Sequence, residues 1–148
     1  TMIIGALQGK MKNYWDGGVC PVDVRDVAAG HLLAMEKGRI GESYILGNTD
    51  NNMTNQAFLQ LVGRIAGVDN VGSKEISRST MLRGARLAEM FSKLTGKAPS
   101  TTVKNSTYTM EHFYVDSSKA VSELGLPQTP VETAVRDSIE WFRANGYA

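Results

Sequence analysis

Apolar residues recur along this chain mostly at helical spacing, and only in short stretches at the spacing or density that marks a strand. From Met2 to about Lys12, Ile3, Ile4, Leu7 and Met11 share one helical face, which breaks at Asn13 and the pair Gly17-Gly18. Val19 to Val24 is a short β-rich run. From Arg25 the period changes, and Ala28, Leu32 and Met35 form a stripe that lasts until Gly38. Asp23 and Asp26 stand at this strand-to-helix step, where one carboxylate can cap free backbone N–H groups and the other can sit in the first turn, favoured by the helix dipole. Ser43 to Leu46 is a second strand candidate, followed by the turn-rich run Gly47 to Asn52. Thr54 then reads as an N-cap, with Met53 and Phe58 placed for a hydrophobic staple, Leu61, Val62 and Ile65 continuing the stripe, and Gly67 ending it.

In the second half, Ser77 to Leu94 is a helix with Met81, Ala85, Ala88 and Leu94 along one face. Leu87, Met90 and Phe91 widen that face, so the helix is either deeply packed or in contact with another chain. Ala98 to Met110, rich in Thr, Ser and Asn, reads as loop with at most a short helix, and Phe113 to Val115 as an extended piece. Asp116 can cap a short helix ending at Leu124, with Gly125 in the left-handed position and Leu126 placed to touch Val121. Thr129-Pro130-Val131-Glu132 spells a capping box with Pro at the first helical position. Val131, Val135, Ile139 and Phe142 form the buried face of that last helix, Asn145-Gly146 closes it, and the chain is expected to end at its natural C-terminus. No linker or repeat divides the chain, so residues 1–148 are read as a single domain of α/β class, mostly helical with a few short strands.

Charge narrows the partners. The net charge is +1, and the basic residues are spread along the chain, so neither nucleic acid nor an anionic membrane is expected as a partner. No apolar run has the length of a membrane span, no signal-peptide pattern opens the chain, and the single Cys20 has no internal disulfide partner; a cytoplasmic location is expected.

Candidate chemistry is sparse. A dinucleotide site needs a glycine-rich loop at a helix N-terminus, and none is present; Gly5 and Gly9 lie inside a helical pattern and read as packing positions. None of Tyr14, Tyr44, Tyr108, Tyr114 and Tyr147 is followed by a Lys four residues on, and Tyr114 with Lys119 misses that spacing by one. No Cys, His or carboxylate cluster has metal-ligand spacing, no Gly-x-Ser-x-Gly elbow is present, His31 reads as a structural histidine and His112 as a surface one. Lys10, Lys12, Tyr14 and Trp15 can present aromatic walls and a cation to a small ligand, or be a partly buried Trp among solvated lysines. Arg78, Arg83 and Arg86 recur at helical spacing and fit an anionic ligand, or a solvated or salt-bridged face.

The run Val22-Asp23-Val24-Arg25-Asp26-Val27-Ala28-Ala29-Gly30-His31, with Ala34 to Gly38 and Gly41-Glu42-Ser43-Tyr44-Ile45-Leu46-Gly47, closely resembles the later part of extended short-chain dehydrogenases/reductases. Within them the chain resembles the dihydroflavonol 4-reductase and hopanoid-associated sugar epimerase type of the NAD-dependent epimerase/dehydratase family. Tyr114 to Ala120, Glu123-Leu124-Gly125 and Glu140-Trp141-Phe142-Arg143 match that group's ending. The resemblance implies the C-terminal, substrate-lobe part of a Rossmann-type fold without the dinucleotide-binding half. It implies NAD(P) for the full-length family but no cofactor for this chain alone, and no catalytic, cofactor-binding or metal residue within it. Tyr14 and Trp15 match the region lining the substrate cleft and, with Arg78 and Arg83, are the expected substrate-binding residues. Nucleotide-sugar members often carry an Arg shortly before the Val-x-Val-x-Asp strand, where this chain has Val19 and Cys20, which disfavours such a substrate.

Two accounts follow: a reductase or epimerase portion whose cofactor half lies elsewhere, or a stand-alone module that binds a small molecule or another protein. In both, the strands near Val22 and Tyr44 lack sheet neighbours and helices such as Ser77 to Leu94 lack the half they would cover, so self-association or the missing Rossmann half is expected to close these edges and faces.

Overall fold

The computed structural model describes residues 2–147. Helices dominate: α1 (Met2–Leu7), α2 (Val24–Lys37), α3 (Asn55–Ala66), α4 (Arg78–Thr95), α5 (Val103–Tyr108), α6 (Ser118–Leu124) and α7 (Val131–Ala144). Four two-residue strands join them in pairs. β1 (Asn13–Tyr14) runs parallel to β4 (Lys74–Glu75), and β2 (Gly18–Val19) antiparallel to β3 (Met53–Thr54).

The larger apolar cluster is built around α3. Phe58, Leu59, Leu61, Val62 and Ala66 meet Ala6 of α1, Val71, and Val131, Val135 and Ile139 of α7. The expected signals set α3 directly. The Thr54 hydroxyl accepts from Ala57 N–H at 3.1 Å, and Gly67 ends the helix at φ 68°. A smaller cluster of Ala120, Leu124 and Leu126 packs against Leu33 and Ala34 of α2 and against Tyr44 and Leu46. Its helix α6 ends as expected, with Gly125 at φ 74° and Leu126 N–H reaching back to the Ala120 carbonyl at 3.3 Å. Asp116 takes the Ser118 N–H at 2.9 Å, just ahead of that helix.

Polar side chains, buried except for Asn52, join the two clusters. Asp26, 3% exposed in the first turn of α2, accepts the Thr129 N–H at 2.6 Å and the Thr129 hydroxyl at 2.8 Å. Asn48 donates to the Thr129 carbonyl, Asn51 to the Pro21 carbonyl, and Asn52 both donates to and accepts from the Val115 backbone. The run Gly47 to Asn52 is thus a hub in which side-chain amides take the place of sheet neighbours for three extended segments.

Several expectations need correction. α1 stops at Leu7, because Gly9 turns at φ 68° and the backbone from Met11 to Tyr14 instead accepts from Gly72, Ser73, Lys74 and Ile76; the Met11 side chain folds back over Gly5. The Val19 to Val24 run contributes only β2, which starts at Gly18, and Ser43 to Leu46 forms no strand, since no described segment pairs with it. The Thr129 to Glu132 capping box is not made. Helix α7 begins at Val131, one residue later than that box requires, and the Asp26 carboxylate accepts both the Thr129 hydroxyl and the Thr129 N–H that the box would give to Glu132.

Burial on two helices also differs from expectation. Val24, Leu32 and Met35 are 78%, 59% and 76% exposed, and Ala28 is exposed with them, while Asp26, Gly30, Leu33 and Ala34 turn inward. On α4 only Ala85 is buried, and Leu94, grouped with it on the sequence, lies 76% exposed with Leu87, Met90 and Phe91. α4 is therefore not deeply packed.

Asp26→Ala removes two charge-assisted hydrogen bonds and strands the Thr129 N–H, and should destabilise the chain by about 3 kcal/mol, whereas Thr129→Val, which loses one bond, should cost about half as much. Urea midpoints of the two variants measure this; equal midpoints would remove Asp26 from its linking role.

Candidate functional site

Three of the depressions on the described surface bear on the site. The first, about 220 Å3, is lined by Tyr14, Trp15, Asp16 and Gly17 with Thr54, Gln56 and Glu75. Tyr14 reaches it from β1, whose pairing with β4 fixes the backbone, and Tyr14 packs against the α3 cluster. Trp15 is held by its indole N–H, which donates to the Thr109 carbonyl at 2.9 Å. Gly17, at φ 130°, lies against the Thr109 and Glu111 carbonyls and the Asn55 amide, where a side chain has no room. Beside it the exposed Asp16 carboxylate stands 3.7 Å from His112 Nε2, and His112 meets the Tyr114 ring edge-on at 5.3 Å.

The structure thus brings Tyr14 and Trp15 together in one cleft. Arg78 and Arg83 do not line it; both are exposed on α4 and neither has an ion-pair partner among the described residues. Lys10 bonds to Gln8, and Lys12 is exposed. His31 is exposed on the outer face of α2, so it is no buried structural histidine. Lys119, one residue off the searched spacing from Tyr114, lies instead over the Tyr44 ring, 4.6 Å from its centre, and binds Glu42, while the Tyr44 hydroxyl donates to Glu123. Among the described residues no group of three or more His, Cys, Asp or Glu is placed to hold a metal ion.

The other two depressions flank Val22. One, about 400 Å3, lies between the start of α2 and α7, with Val22, Val24, Ala134, Trp141 and Phe142 as its apolar surface. Its rim is the Arg25 guanidinium, 2.6 Å from both Asp23 and Asp137. Asp23 also accepts the Arg25 N–H as the N-cap of α2. The Arg25 guanidinium bonded to it holds the Asp23 carboxyl below the usual carboxylate range, against the opposing effect of burial. The second, about 350 Å3, lies among Val19, Cys20, Val22, Ile45, Leu46 and Val115. Along it the extended segment around Ile45, itself 51% exposed, has no ladder partner. Val24, Ala28, Leu32 and Met35 continue this apolar surface down the outside of α2.

Sequence reasoning expected the open edge near Val22 and Tyr44 but missed its continuation along α2, because a stripe at helical spacing says which residues share a face, not whether this chain covers it. It missed the amide hub because Asn-rich runs read as solvated turns; the available signal was the density of Asn between Asn48 and Asn55.

No protein-family profile matches the chain. Among curated proteins it is 35% identical, over 99% of its length, to a Synechocystis sp. protein whose assigned name is dihydroflavonol 4-reductase. It is 27% identical, over 97% of its length, to sterol demethylase protein B of Methylococcus capsulatus. The chain spans 43% and 44% of those proteins. Among solved structures, gox2253 superposes with a TM-score of 0.76 at 35% identity, and a nucleoside-diphosphate-sugar epimerase of Pseudomonas aeruginosa with 0.74 at 26%. Each covers 99% of this chain, and the chain covers 43% and 42% of theirs.

Because the folded Asp23 value lies below the unfolded one, its stabilising effect is complete above the unfolded value of about 4 and is lost as pH falls through the folded value. In Arg25→Met, the Asp23 carboxyl followed by carbon NMR should titrate at higher pH than in the parent; an unchanged midpoint would exclude Arg25 as the cause.

Proposed function

The chain belongs to the extended short-chain dehydrogenases/reductases and corresponds to their C-terminal part; on that premise we propose that it is the substrate-lobe portion of an NAD(P)-dependent reductase or epimerase. In this reading it is not catalytic by itself and is completed by a dinucleotide-binding polypeptide. The observation that carries this is the apolar surface formed by the outer side of α2 and the unpaired segment around Ile45. A helix that is apolar on two faces belongs between two layers, and α2 has only one of them here, supplied by α6. An extended segment with free backbone groups beside it invites a neighbouring strand.

The cofactor does not fit the residues present. A diphosphate needs free N–H groups at a helix N-terminus. That of α2 is taken by the Asp23 carboxylate, whose charge repels a phosphate, those of α3 and α4 are closed by Thr54 and Ser77, and the uncapped one of α7 carries the Glu132 carboxylate in its first turn. No glycine-rich loop precedes any of them, and no tyrosine has a lysine four residues on. What this chain supplies is a wall for the substrate. Tyr14 and Trp15 present aromatic surface in a cleft whose backbone is locked by β1–β4 pairing and by the Trp15 bond to Thr109. Without a dinucleotide-binding partner, two copies of the chain bury the same α2 surface against each other.

Titration of the isolated chain with NAD+ and NADPH should show no saturable binding; a micromolar dissociation constant for either would overturn the reading. Co-expression with the N-terminal portion of the Synechocystis relative should restore nicotinamide-cofactor binding in a stable complex. Leu32→Asp with Ile45→Asp should abolish that complex, because each apolar side chain buried there contributes on the order of 1–2 kcal/mol. Light scattering of the chain alone should give a mass that rises with concentration toward the dimer, and a strict monomer at high concentration would sink the self-association.

A further inference from the structure

We propose that the outer face of α4 docks on an anionic lipid bilayer. This face is separate from the α2 surface, and the inference does not rest on the proposed function. α4 packs against α5, and its single acidic side chain, Glu89, accepts the Val103 N–H at 2.9 Å. On the other side Leu87, Met90, Phe91 and Leu94 are 52%, 51%, 59% and 76% exposed. With Arg83 they share an arc of about 100° of the helix, and Arg86 and Lys93 border it. These three cations are exposed, and none has an ion-pair partner among the described residues.

The charge pattern selects the occupant. Cations sit toward both ends of the face and no free carboxylate lies on it, so two copies laid together in either direction bring positive against positive. Between Arg83 and Leu94 the arc holds no hydrogen-bonding side chain other than Arg83, and Thr80, one turn before, has its hydroxyl bonded to Ser77, so the arc offers apolar bulk and point charge with few of the directional contacts that orient a protein partner. A bilayer interface needs only those two. The four apolar side chains enter the acyl boundary, while the arginine and lysine stems reach up to lipid phosphates. Among the described residues no helix is long and apolar enough to cross a membrane, so in this reading α4 lies along the bilayer surface. The chain-wide charge of +1 conceals this because most acidic residues lie elsewhere in the sequence.

Flotation of the complete chain with vesicles tests it. Partitioning into phosphatidylglycerol–phosphatidylcholine vesicles should be about tenfold or more stronger than into phosphatidylcholine alone, and should weaken with added salt. Phe91→Ser with Leu94→Ser should lower it about tenfold. Arg83→Glu with Arg86→Glu should remove it, and Leu32→Ser with Met35→Ser should leave it unchanged. All these side chains are exposed, so circular dichroism should show every variant folded. Absence of binding to anionic vesicles, equal binding to neutral ones, or loss through the α2 variant in place of the α4 variants would overturn the proposal.

Discussion

Everything in this chain depends on a buried carboxylate reaching across more than a hundred residues. Asp26 accepts both donors of Thr129, and by doing so holds the first turn of α2 against the start of α7. Neither apolar cluster explains that docking alone, because α7 belongs to the α3 cluster and α2 to the α6 cluster. The asparagines of the Gly47 to Asn52 run work beside it, tying Pro21, Thr129 and Val115 to one turn. Such polar links suit a protein with little sheet of its own. Extended segments that would otherwise leave backbone groups unsatisfied receive them from side chains.

This also explains what the sequence revealed and what it hid. Local signals were legible wherever their chemistry is local: Thr54 and Gly67 bound α3, and Gly125 with Leu126 closes α6. They failed where a distant group competes. Thr129 has the spacing of a capping residue, yet its N–H, which a capping box would give to Glu132, goes to the distant Asp26 carboxylate, and its hydroxyl turns to the same group. The helix from Met2 ended early for a related reason, since the backbone from Met11 onward is claimed by Gly72 to Ile76. Of the candidate site, Tyr14 and Trp15 were legible as neighbours in a loop, but the separation of Arg78 and Arg83 from their cleft was not, because spacing along a helix carries no information about where that helix lies.

Exposed apolar surface is the other thread. On α2 it adjoins an unpaired extended segment and two apolar grooves that share Val22, and His31 is the only titratable side chain within the stripe. On α4 it is bordered by arginines and a lysine with no acid among them. The first has the character of a protein interior left uncovered, where desolvating charge would be costly. The second has the character of a boundary between apolar and aqueous phases, where charge is kept in water and the stems are buried.

That contrast bears on how the whole molecule is assembled. If both faces served one purpose, the same kind of partner would have to satisfy a surface whose bordering Arg25 is ion-paired with Asp23 and Asp137 and a surface whose bordering cations have no ion-pair partner among the described residues. In the assembly proposed above, a dinucleotide-binding layer laid on α2 completes a sheet and shields Val24, Leu32 and Met35, and nothing in that proposal requires the cations of α4. α4 is linked to the rest of the fold chiefly through α5, so it can meet a second surface while α2 stays covered. The two faces are therefore independent in composition and in attachment, and each can be disabled by substitution without disturbing the buried carboxylate and amide links that hold the fold.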